Sequence, residues 1–268
     1  MKKSLNFLIS LTFLFLLFET YVLAEEDKKA LKISTDAYNY DKGFGDFTST
    51  QIMTLRNKQG EETIRYFRGK TLEVENDGDK TLFIFDSPKD VKGTATLTFT
   101  HKLDPDDQWL YLPALKRVKR ITSDNRSGSF VGSEFAYEDL GSQELEKYKD
   151  RKYLRKEACP NNNELECHVI SRVPTEKSSG YKYQVLWLDD TAAHKVWKID
   201  YFDRKGSHLK TLFFDDYKIY LDKHWRPSVY KMINHQTGKS TDLLVQNIRF
   251  KVGLSSRDFN PKSLSRAR

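Results

Sequence analysis

Residues Asp107–Leu140 read DQWLYLPALKRVKRITSDNRSGSFVGSEFAYEDL, and this stretch decides how the rest of the chain is interpreted. Its first half predicts two short strands broken at Pro113, and the first of them is apolar on both faces, as in a strand covered on both sides. The second strand is basic, the next loop is rich in Ser and Gly, and the end carries Phe135, Tyr137 and an acidic pair. Aromatic segments on either side of a basic loop indicate a rim or a lid rather than a catalytic centre.

Short strands with local turns make up most of the remaining chain. Asp46–Arg56 and Glu61–Arg68 flank the turn signal Asn57–Gly60 and predict a hairpin, whereas Thr71–Glu75 reads as a separate strand. Gly93–His101 alternates apolar residues with threonines, which predicts one dry face and one wet face. Such regular strands favour an antiparallel meander that closes toward a barrel. Helical patterns are confined to Glu25–Asn39 and, as a short helix, to Ser142–Asp150.

The segments WLYLPALKRVKRI and SGSFVGSEFAYEDL, preceded by Phe85–Gly93 (FDSPKDVKG), resemble the signature of the periplasmic outer-membrane lipoprotein-sorting family, the LolA-like proteins. The resemblance is specific over Thr81–Leu140 and looser elsewhere. It implies a mainly β (α+β) fold, namely an incomplete antiparallel β-barrel with helices across its mouth, as in LolA and LolB. It also implies an apolar cavity for acyl chains. This chain is longer than the better-known carriers, so residue roles outside the signature are not carried over.

The N-terminal residues 1–24 predict a cleaved secretory signal peptide. Lys2 and Lys3 precede the apolar run Leu5–Phe18, and Val22–Ala24 precede the expected cut. The run is short for a membrane span, although an uncleaved anchor is the alternative. The prediction is therefore one LolA-like domain, residues 25–268, exported to the periplasm.

The charge pattern gives a candidate docking surface. The chain carries a formal net charge of +7, and four cations follow one another closely in the second strand of the opening stretch. They are Lys116, Arg117, Lys119 and Arg120. One interpretation is that they protect an exposed edge strand from pairing with other chains. The other is that they dock anionic lipid headgroups or the periplasmic domain of an inner-membrane exporter. Export argues against nucleic acid as the partner.

The aromatic content gives a candidate ligand site. The chain holds 17 Phe, 14 Tyr and 4 Trp, which are compatible with an ordinary packed barrel interior. The family resemblance offers a second interpretation, a cavity that covers an acyl chain, because about 14 methylenes expose surface worth roughly 11 kcal/mol. The candidate cavity residues are Phe83, Phe85, Leu97, Phe99, Trp109, Tyr111, Phe130, Phe135 and Tyr137.

Cys159 and Cys167 flank Pro160–Asn163, a turn signal, and in an oxidising compartment they predict a disulfide across a hairpin end. Closing so short a loop stabilises by roughly 2.5 kcal/mol in the chain-entropy estimate. The alternative, a redox-active pair, lacks the Cys-x-x-Cys spacing.

An enzyme is not expected. None of the six histidines forms a His-x-x-x-His pair, and the chain has no Gly-x-Ser-x-Gly elbow and no phosphate-binding glycine loop. The adjacent carboxylates Glu138–Asp139 and Asp189–Asp190 are expected in turns or in solvent. No cofactor or metal is predicted, although clustering in space could still assemble a site that spacing hides.

The predicted function is therefore that of a monomeric carrier of lipid or lipoprotein acyl chains, which touches membranes transiently and works with an inner-membrane exporter. The alternative is a regulatory module on the same fold, which senses a lipid or lipoprotein and acts through a protein partner.

Overall fold

The computed structural model describes Glu25 and residues 27–266, so the predicted signal peptide, residues 1–24, lies outside the described part. A helix, α1, covers residues 27–41, and thirteen strands follow it. The strands are β1 Asp46–Arg56, β2 Glu62–Leu72, β3 Lys80–Ser87, β4 Ala95–Phe99, β5 Asp107–Leu112, β6 Arg117–Ile121, β7 Tyr148–Cys159, β8 Asn162–Pro174, β9 Tyr181–Asp189, β10 Val196–Asp203, β11 His208–Tyr220, β12 His224–Asn234 and β13 Ser240–Phe250. Among the described residues, no helix is both long and apolar enough to span a bilayer.

All thirteen strands belong to one antiparallel sheet in the order β6-β5-β4-β3-β2-β1-β13-β12-β11-β10-β9-β8-β7. We call β1–β6 the first wall and β7–β13 the second wall. Side chains from both walls, such as Phe85 of β3 and Leu186 of β9, meet in one buried cluster. The sheet therefore curls around a shared concave face while β6 and β7 remain its edges, which confirms the predicted incomplete barrel. α1 packs Ala30 and Ile33 into the same cluster.

The hairpin predicted at Asn57–Gly60 is confirmed. The Asn57 side-chain oxygen accepts hydrogen bonds from the backbone N–H groups of Gln59 and Glu61, which is the usual way in which Asn stabilises a turn. The separate strand expected at Thr71–Glu75 does not exist, because β2 continues without a break to Leu72 and pairs with β1 and β3 along that length.

The prediction of a wet face on β4 was wrong. Its threonines point to the concave face, since Thr96 lies opposite Phe83 of β3, and all four threonines from Thr94 to Thr100 are buried. The alternate residues Ala95 and Leu97 are buried as well, under the C-terminal segment. The pattern gave the correct period, but it could not show that both faces are covered.

The chain between the walls, residues 122–147, is here called the β6–β7 segment. It contains several single 3₁₀ turns, and the short helix expected over Ser142–Asp150 is reduced to the turn Leu145–Lys147. Tertiary hydrogen bonds take the backbone groups that a helix would need: Ser142 N–H donates to Thr100 Oγ1, and the Lys147 carbonyl accepts from Thr175 N–H.

The predicted disulfide is confirmed. Cys159 and Cys167 are bonded at the end of the β7–β8 hairpin, with their Cα atoms 4.9 Å apart. Asn161 in the turn has φ +63°, a left-handed conformation that Asn tolerates. Both cysteines pack on the convex face with Trp187 and Trp197.

Candidate functional site

Five of the nine cavity candidates meet on the concave face of the sheet. Phe83 and Phe85 come from β3, and Phe130, Phe135 and Tyr137 come from the β6–β7 segment. The Phe130 ring centroid lies 6.2 Å from that of Phe83, 5.7 Å from that of Phe85 and 5.8 Å from that of Tyr137. These are ordinary packing distances for aromatic pairs. The β6–β7 segment thus occupies the space in front of β3 with its own aromatic side chains.

The other four candidates lie on the opposite face of the first wall. They are Leu97, Phe99, Trp109 and Tyr111, and they pack with Leu82 and Ile84 of β3. Phe259 and Leu264 of the C-terminal segment cover them. The nine residues do not form one site, because β3 and β4 send alternate residues to opposite faces and both faces are covered. Only the inner five can contact a molecule held on the concave face.

A buried ion pair holds the β6–β7 segment against the second wall. Lys210 of β11 donates to Asp139 Oδ2 at 2.7 Å, and both side chains are only 4% exposed. Asp139 also accepts from Tyr181 OH and from the backbone N–H of Ala136, both at 2.7 Å. Lys210 donates further to the Glu134 carbonyl at 2.9 Å. Every charged group in this contact has a partner, as a buried ion pair requires.

Two further carboxylates of the segment reach the second wall. Glu138 accepts from Ser179 Oγ at 2.7 Å and from Gly180 N–H at 2.9 Å, and burial raises its pKa, with the neighbouring Asp139 adding to the rise. Glu134 accepts from the Asn234 side-chain amide at 2.6 Å. The acidic pair was expected in turns or in solvent; Asp139 does cap a turn, but its side chain is buried.

A polar pocket lies beside these contacts, between the β6–β7 segment and the second wall. Arg126 in its lining is 3% exposed; its guanidinium contacts Glu176 and lies 3.7 Å from Asp106. Tyr148 and Tyr201 also line it. So polar a lining does not suit hydrocarbon, and the pocket is better described as part of the attachment of the segment.

The first wall contains buried polar atoms that have no hydrogen-bond partner in the part of the chain that the structure describes. Gln51 Oε1, Thr96 Oγ1 and Gln108 Oε1 are buried on the concave face, and none of them has a hydrogen-bond partner among the described residues. Nearby, burial raises the pKa of Asp79 to about 7, and the buried carboxylate of Glu144 adds to the rise. Glu144 itself accepts from Tyr38 OH of α1 at 2.5 Å.

The four basic candidates lie on the edge strand β6 or directly before it. They are Lys116, Arg117, Lys119 and Arg120, and all are exposed. Arg120 contacts Asp107, whereas the other three have no ion-pair partner in the described part of the chain. On the opposite edge, β7, Arg155 pairs with Glu157 and Lys156 pairs with Glu166 and Asp190.

Within the described residues, no group of three or more His, Cys, Asp and Glu side chains is placed to hold a metal ion. Sequence reasoning missed Lys210, because a lone lysine in a strand gives no sign that it is buried. It also missed the unpartnered oxygens of the first wall, for which the threonine alternation of β4 was the only available signal.

Comparison with known proteins supports one family. A family profile described only as "Uncharacterized protein" matches residues 77–266. The chain is similar to a crystal structure described as a "putative outer membrane lipoprotein-sorting protein domain" from Vibrio parahaemolyticus, with 51% identity over 89% of this chain and 99% of that one, at a TM-score of 0.85. None of the curated proteins matches.

Two more distant structures agree with the fold. A DUF1329 family protein from Desulfovibrio piger has 26% identity over 89% of this chain and 99% of its own, at a TM-score of 0.82. A LolA superfamily protein from Nitrosomonas europaea has 17% identity over 86% of this chain and 97% of its own, at a TM-score of 0.67. The second likeness bears on the fold alone.

Proposed function

This chain belongs to the family of outer membrane lipoprotein-sorting protein domains, and on that premise we propose that it is a periplasmic carrier of lipid or lipoprotein acyl chains. It holds the chains on the concave face of the sheet, beneath the β6–β7 segment, and carries them toward the outer membrane. It acts by covering hydrocarbon, without chemistry. Residues 25–268 form the single carrier domain, which works as a monomer with an inner-membrane exporter.

The observation that carries this proposal is the way in which the interior is filled. Phe130 is 1% exposed and Phe135 is 7% exposed, yet both belong to the β6–β7 segment rather than to a strand of the sheet. The segment is attached by side-chain contacts and single backbone hydrogen bonds, and its one β-bridge, Ser129 to Ala136, is internal. The segment can therefore move away without breaking the strand ladder, and its aromatic surface can be replaced by an acyl chain.

The energetic balance suits transient carriage. An acyl chain of about 14 methylenes gains roughly 11 kcal/mol when it leaves water. Opening exposes Phe130 and Phe135 and separates the buried pair Asp139–Lys210, which costs several kcal/mol. Because the two changes oppose each other, the bound state is favourable without being permanent, as a carrier that must release its cargo requires.

The edge strand β6 is the proposed docking surface for anionic headgroups or for an acidic face of the exporter. Lys116, Arg117 and Lys119 have no ion-pair partners in the described part of the chain, so their charge is available. The triple reversal Lys116→Glu, Arg117→Glu and Lys119→Glu is expected to abolish co-sedimentation with vesicles of phosphatidylglycerol, while circular dichroism stays unchanged. If the folded variant sediments with the vesicles as well as the unsubstituted protein does, these cations only protect the edge strand from pairing with other chains.

A matched pair of substitutions tests the carrier itself. Phe83 and Phe99 are both partly buried, but Phe83 faces the interior whereas Phe99 faces the C-terminal segment. Phe83→Ala is expected to lower the affinity for cis-parinaric acid, an 18-carbon fluorescent fatty acid, by about tenfold, or about 1.4 kcal/mol. Phe99→Ala is expected to leave that affinity unchanged.

The unfolding free energy of both variants, measured in urea, serves as the control, because both lose a packed ring. Equal affinities in the two variants would mean that the concave face is not the binding site. Absence of parinaric acid binding in the unsubstituted protein would contradict the carrier proposal as a whole.

A further inference from the structure

The concave face of the first wall carries a band of buried polar side chains, which we call the polar band: Ser49, Gln51, Thr96, Thr98 and Gln108. The register places them in neighbouring rows. Ser49 lies opposite Gly69, Gly69 opposite Phe83, and Phe83 opposite Thr96. Residues opposite each other in an antiparallel sheet share a face. The polar band therefore lies on the same face as Phe83, which the proposed function assigns to the ligand.

Three oxygens of the polar band are unused. Gln51 is 5% exposed, Thr96 2% and Gln108 1%, and their atoms Gln51 Oε1, Thr96 Oγ1 and Gln108 Oε1 have no hydrogen-bond partner among the described residues. A buried polar atom without a partner is costly, and folded proteins keep few of them. Arg65 Nε and Nη1 on the same face also lack partners in the described part of the chain, but the Arg65 guanidinium lies beside Gly132 of the β6–β7 segment. The three oxygens belong to the polar band and indicate that a group outside the described chain completes them.

The chemistry of these atoms defines what that group must be. Gln108 Nε2 donates to the Tyr137 carbonyl at 2.8 Å and to Thr98 Oγ1 at 3.2 Å, which fixes the amide so that Oε1 is the free atom. Gln51 Nε2 lies 2.6 Å from Ser49 Oγ, a hydroxyl that can also donate, so Gln108 is the residue whose amide orientation is fixed. An amide oxygen can only accept, so the group that completes Gln108 Oε1 must be a donor, and the Thr96 hydroxyl can accept from the same donor.

Gly69 gives the Gln51 amide the space to lie beside Phe83. A Cβ at position 69 would lie 2.7 Å from Gln51 Nε2 and 3.1 Å from Phe83 Cε1, so the Gln51 amide would have to move from its place beside Phe83. The Phe83 ring thus has the Gln51 amide on one side and Thr96 on the other. Phe67 of β2 and Phe130 of the β6–β7 segment both pack on Phe83, so a ligand that takes the place of Phe130 comes to lie against the polar band.

We infer that the ligand carries an N–H or O–H donor next to its acyl chain, as an amide-linked or hydroxylated lipid does and a simple acyl ester does not. The inference rests on the proposed carrier function and specifies its ligand. The acyl chain lies on the aromatic side chains, and the donor is bound between Gln108 Oε1 of β5, which can only accept, and Thr96 Oγ1 of the neighbouring strand β4.

Two ligands that differ only in the donor test this inference. N-methylhexadecanamide and methyl hexadecanoate have the same chain length and shape, but only the amide has an N–H. Both are titrated into the protein comprising residues 25–268, loaded with cis-parinaric acid. The amide is expected to displace the probe at roughly tenfold lower concentration, the ratio that a single additional hydrogen bond provides. Hexadecan-1-ol against methyl hexadecyl ether repeats the comparison for a hydroxyl donor and distinguishes the two lipid classes.

Thr96→Val assigns the effect to the polar band, because valine keeps the shape and removes the unpartnered hydroxyl. The tenfold preference for the amide is expected to fall to about threefold or less, without loss of thermal stability. Thr54→Val, on the outward face of β1, is the control and keeps the full preference.

The outcomes separate the inference from the function on which it rests. Equal displacement by amide and ester overturns the donor inference and leaves the carrier standing. A preference that persists unchanged in Thr96→Val overturns the assignment to the polar band. If cis-parinaric acid itself does not bind, the carrier proposal and this inference fail together.

Discussion

Lys210 of the second wall and the polar band of the first wall treat buried polar groups in opposite ways, although Arg151 Nε and Asp242 Oδ1 of the second wall also lack partners among the described residues. In the second wall Lys210 is buried and donates to Asp139 and to the Glu134 carbonyl, and the ion pair that it forms holds the β6–β7 segment in place. In the first wall, Thr96 and Gln108 are equally buried but keep oxygens that form no hydrogen bond with a described residue. Folding alone favours the arrangement of the second wall. The difference therefore indicates that the second wall anchors the covering segment while the first wall is shaped for a ligand.

Removing the cation of the second wall is expected to have the largest effect. Lys210→Met leaves the Asp139 carboxylate buried without its charge partner, which should lower the unfolding free energy by about 3–5 kcal/mol. Urea denaturation followed by circular dichroism measures the loss. Lys32→Met is the matched control, because the exposed pair Lys32–Asp36 should contribute less than about 0.5 kcal/mol. Similar losses in the two variants would show that the buried pair does not hold the segment.

The pH dependence of stability tests a buried carboxylate of the first wall, Asp79, which directly precedes β3. Burial raises its pKa to about 7, whereas the pKa of an aspartate side chain in the unfolded chain is about 4. The folded protein thus binds the proton more tightly, and the stability from this group is complete below about pH 4 and is lost as the pH rises to about 7. Asp79→Asn should remove this loss, about 2–4 kcal/mol, from the difference between pH 4 and pH 7.5.

The quantity to measure is the difference in unfolding free energy between Asp79→Asn and the unsubstituted protein at each pH. Other groups titrate in the same range, but their contributions cancel in this difference. Parallel curves for Asp79→Asn and the unsubstituted protein would mean that this carboxylate does not carry a raised pKa.

The disulfide tests whether stability and ligand binding can be separated. Replacing both cysteines, Cys159→Ser with Cys167→Ser, should lower the unfolding free energy by about 2.5 kcal/mol through the freed loop. The bond lies on the convex face of the second wall, in a cluster apart from the concave face. Affinity for cis-parinaric acid should therefore stay within about twofold. A large change in affinity would show that the two faces of the second wall are coupled.

The smallest expected effect distinguishes two threonines of β4. Thr98 Oγ1 accepts from Gln108, whereas Thr96 Oγ1 is unpartnered in the described part of the chain. Thr98→Val should cost about 1 kcal/mol because a buried hydrogen bond is lost, and Thr96→Val should cost nothing or stabilise slightly. Thermal unfolding of the ligand-free variants measures both, and a larger loss in Thr96→Val would mean that its hydroxyl is already satisfied.

Features of this fold with local causes could be predicted from the sequence, whereas features that depend on distant contacts could not. Hairpin turns such as Asn57–Gly60 and the Cys159–Cys167 bridge were predictable because their causes are local. The faces of β4 were not, because alternation shows which residues share a face but not what covers each face. Likewise, nothing near Lys210 in sequence indicates Asp139, since the two meet only when the β6–β7 segment folds onto the second wall.

Nine cavity residues were predicted from the sequence, and their role in binding a ligand stays a prediction. Phe83, Phe85, Phe130, Phe135 and Tyr137 come together on the concave face. Leu97 and Trp109 are equally apolar but lie under Phe259, which is about 150 residues further along the chain. The sequence around Leu97 and Trp109 does not indicate a contact with a residue so far away.

Native mass spectrometry of the protein released gently from the cell envelope, with lipid extraction in parallel, shows whether the protein carries a lipid. A carrier is expected to show a bound species whose mass matches a lipid or an acylated peptide, lost in Phe83→Ala but retained in Phe99→Ala. A ligand-free mass that persists after incubation with envelope lipids would contradict the carrier proposal and would favour a regulatory module acting through a protein partner.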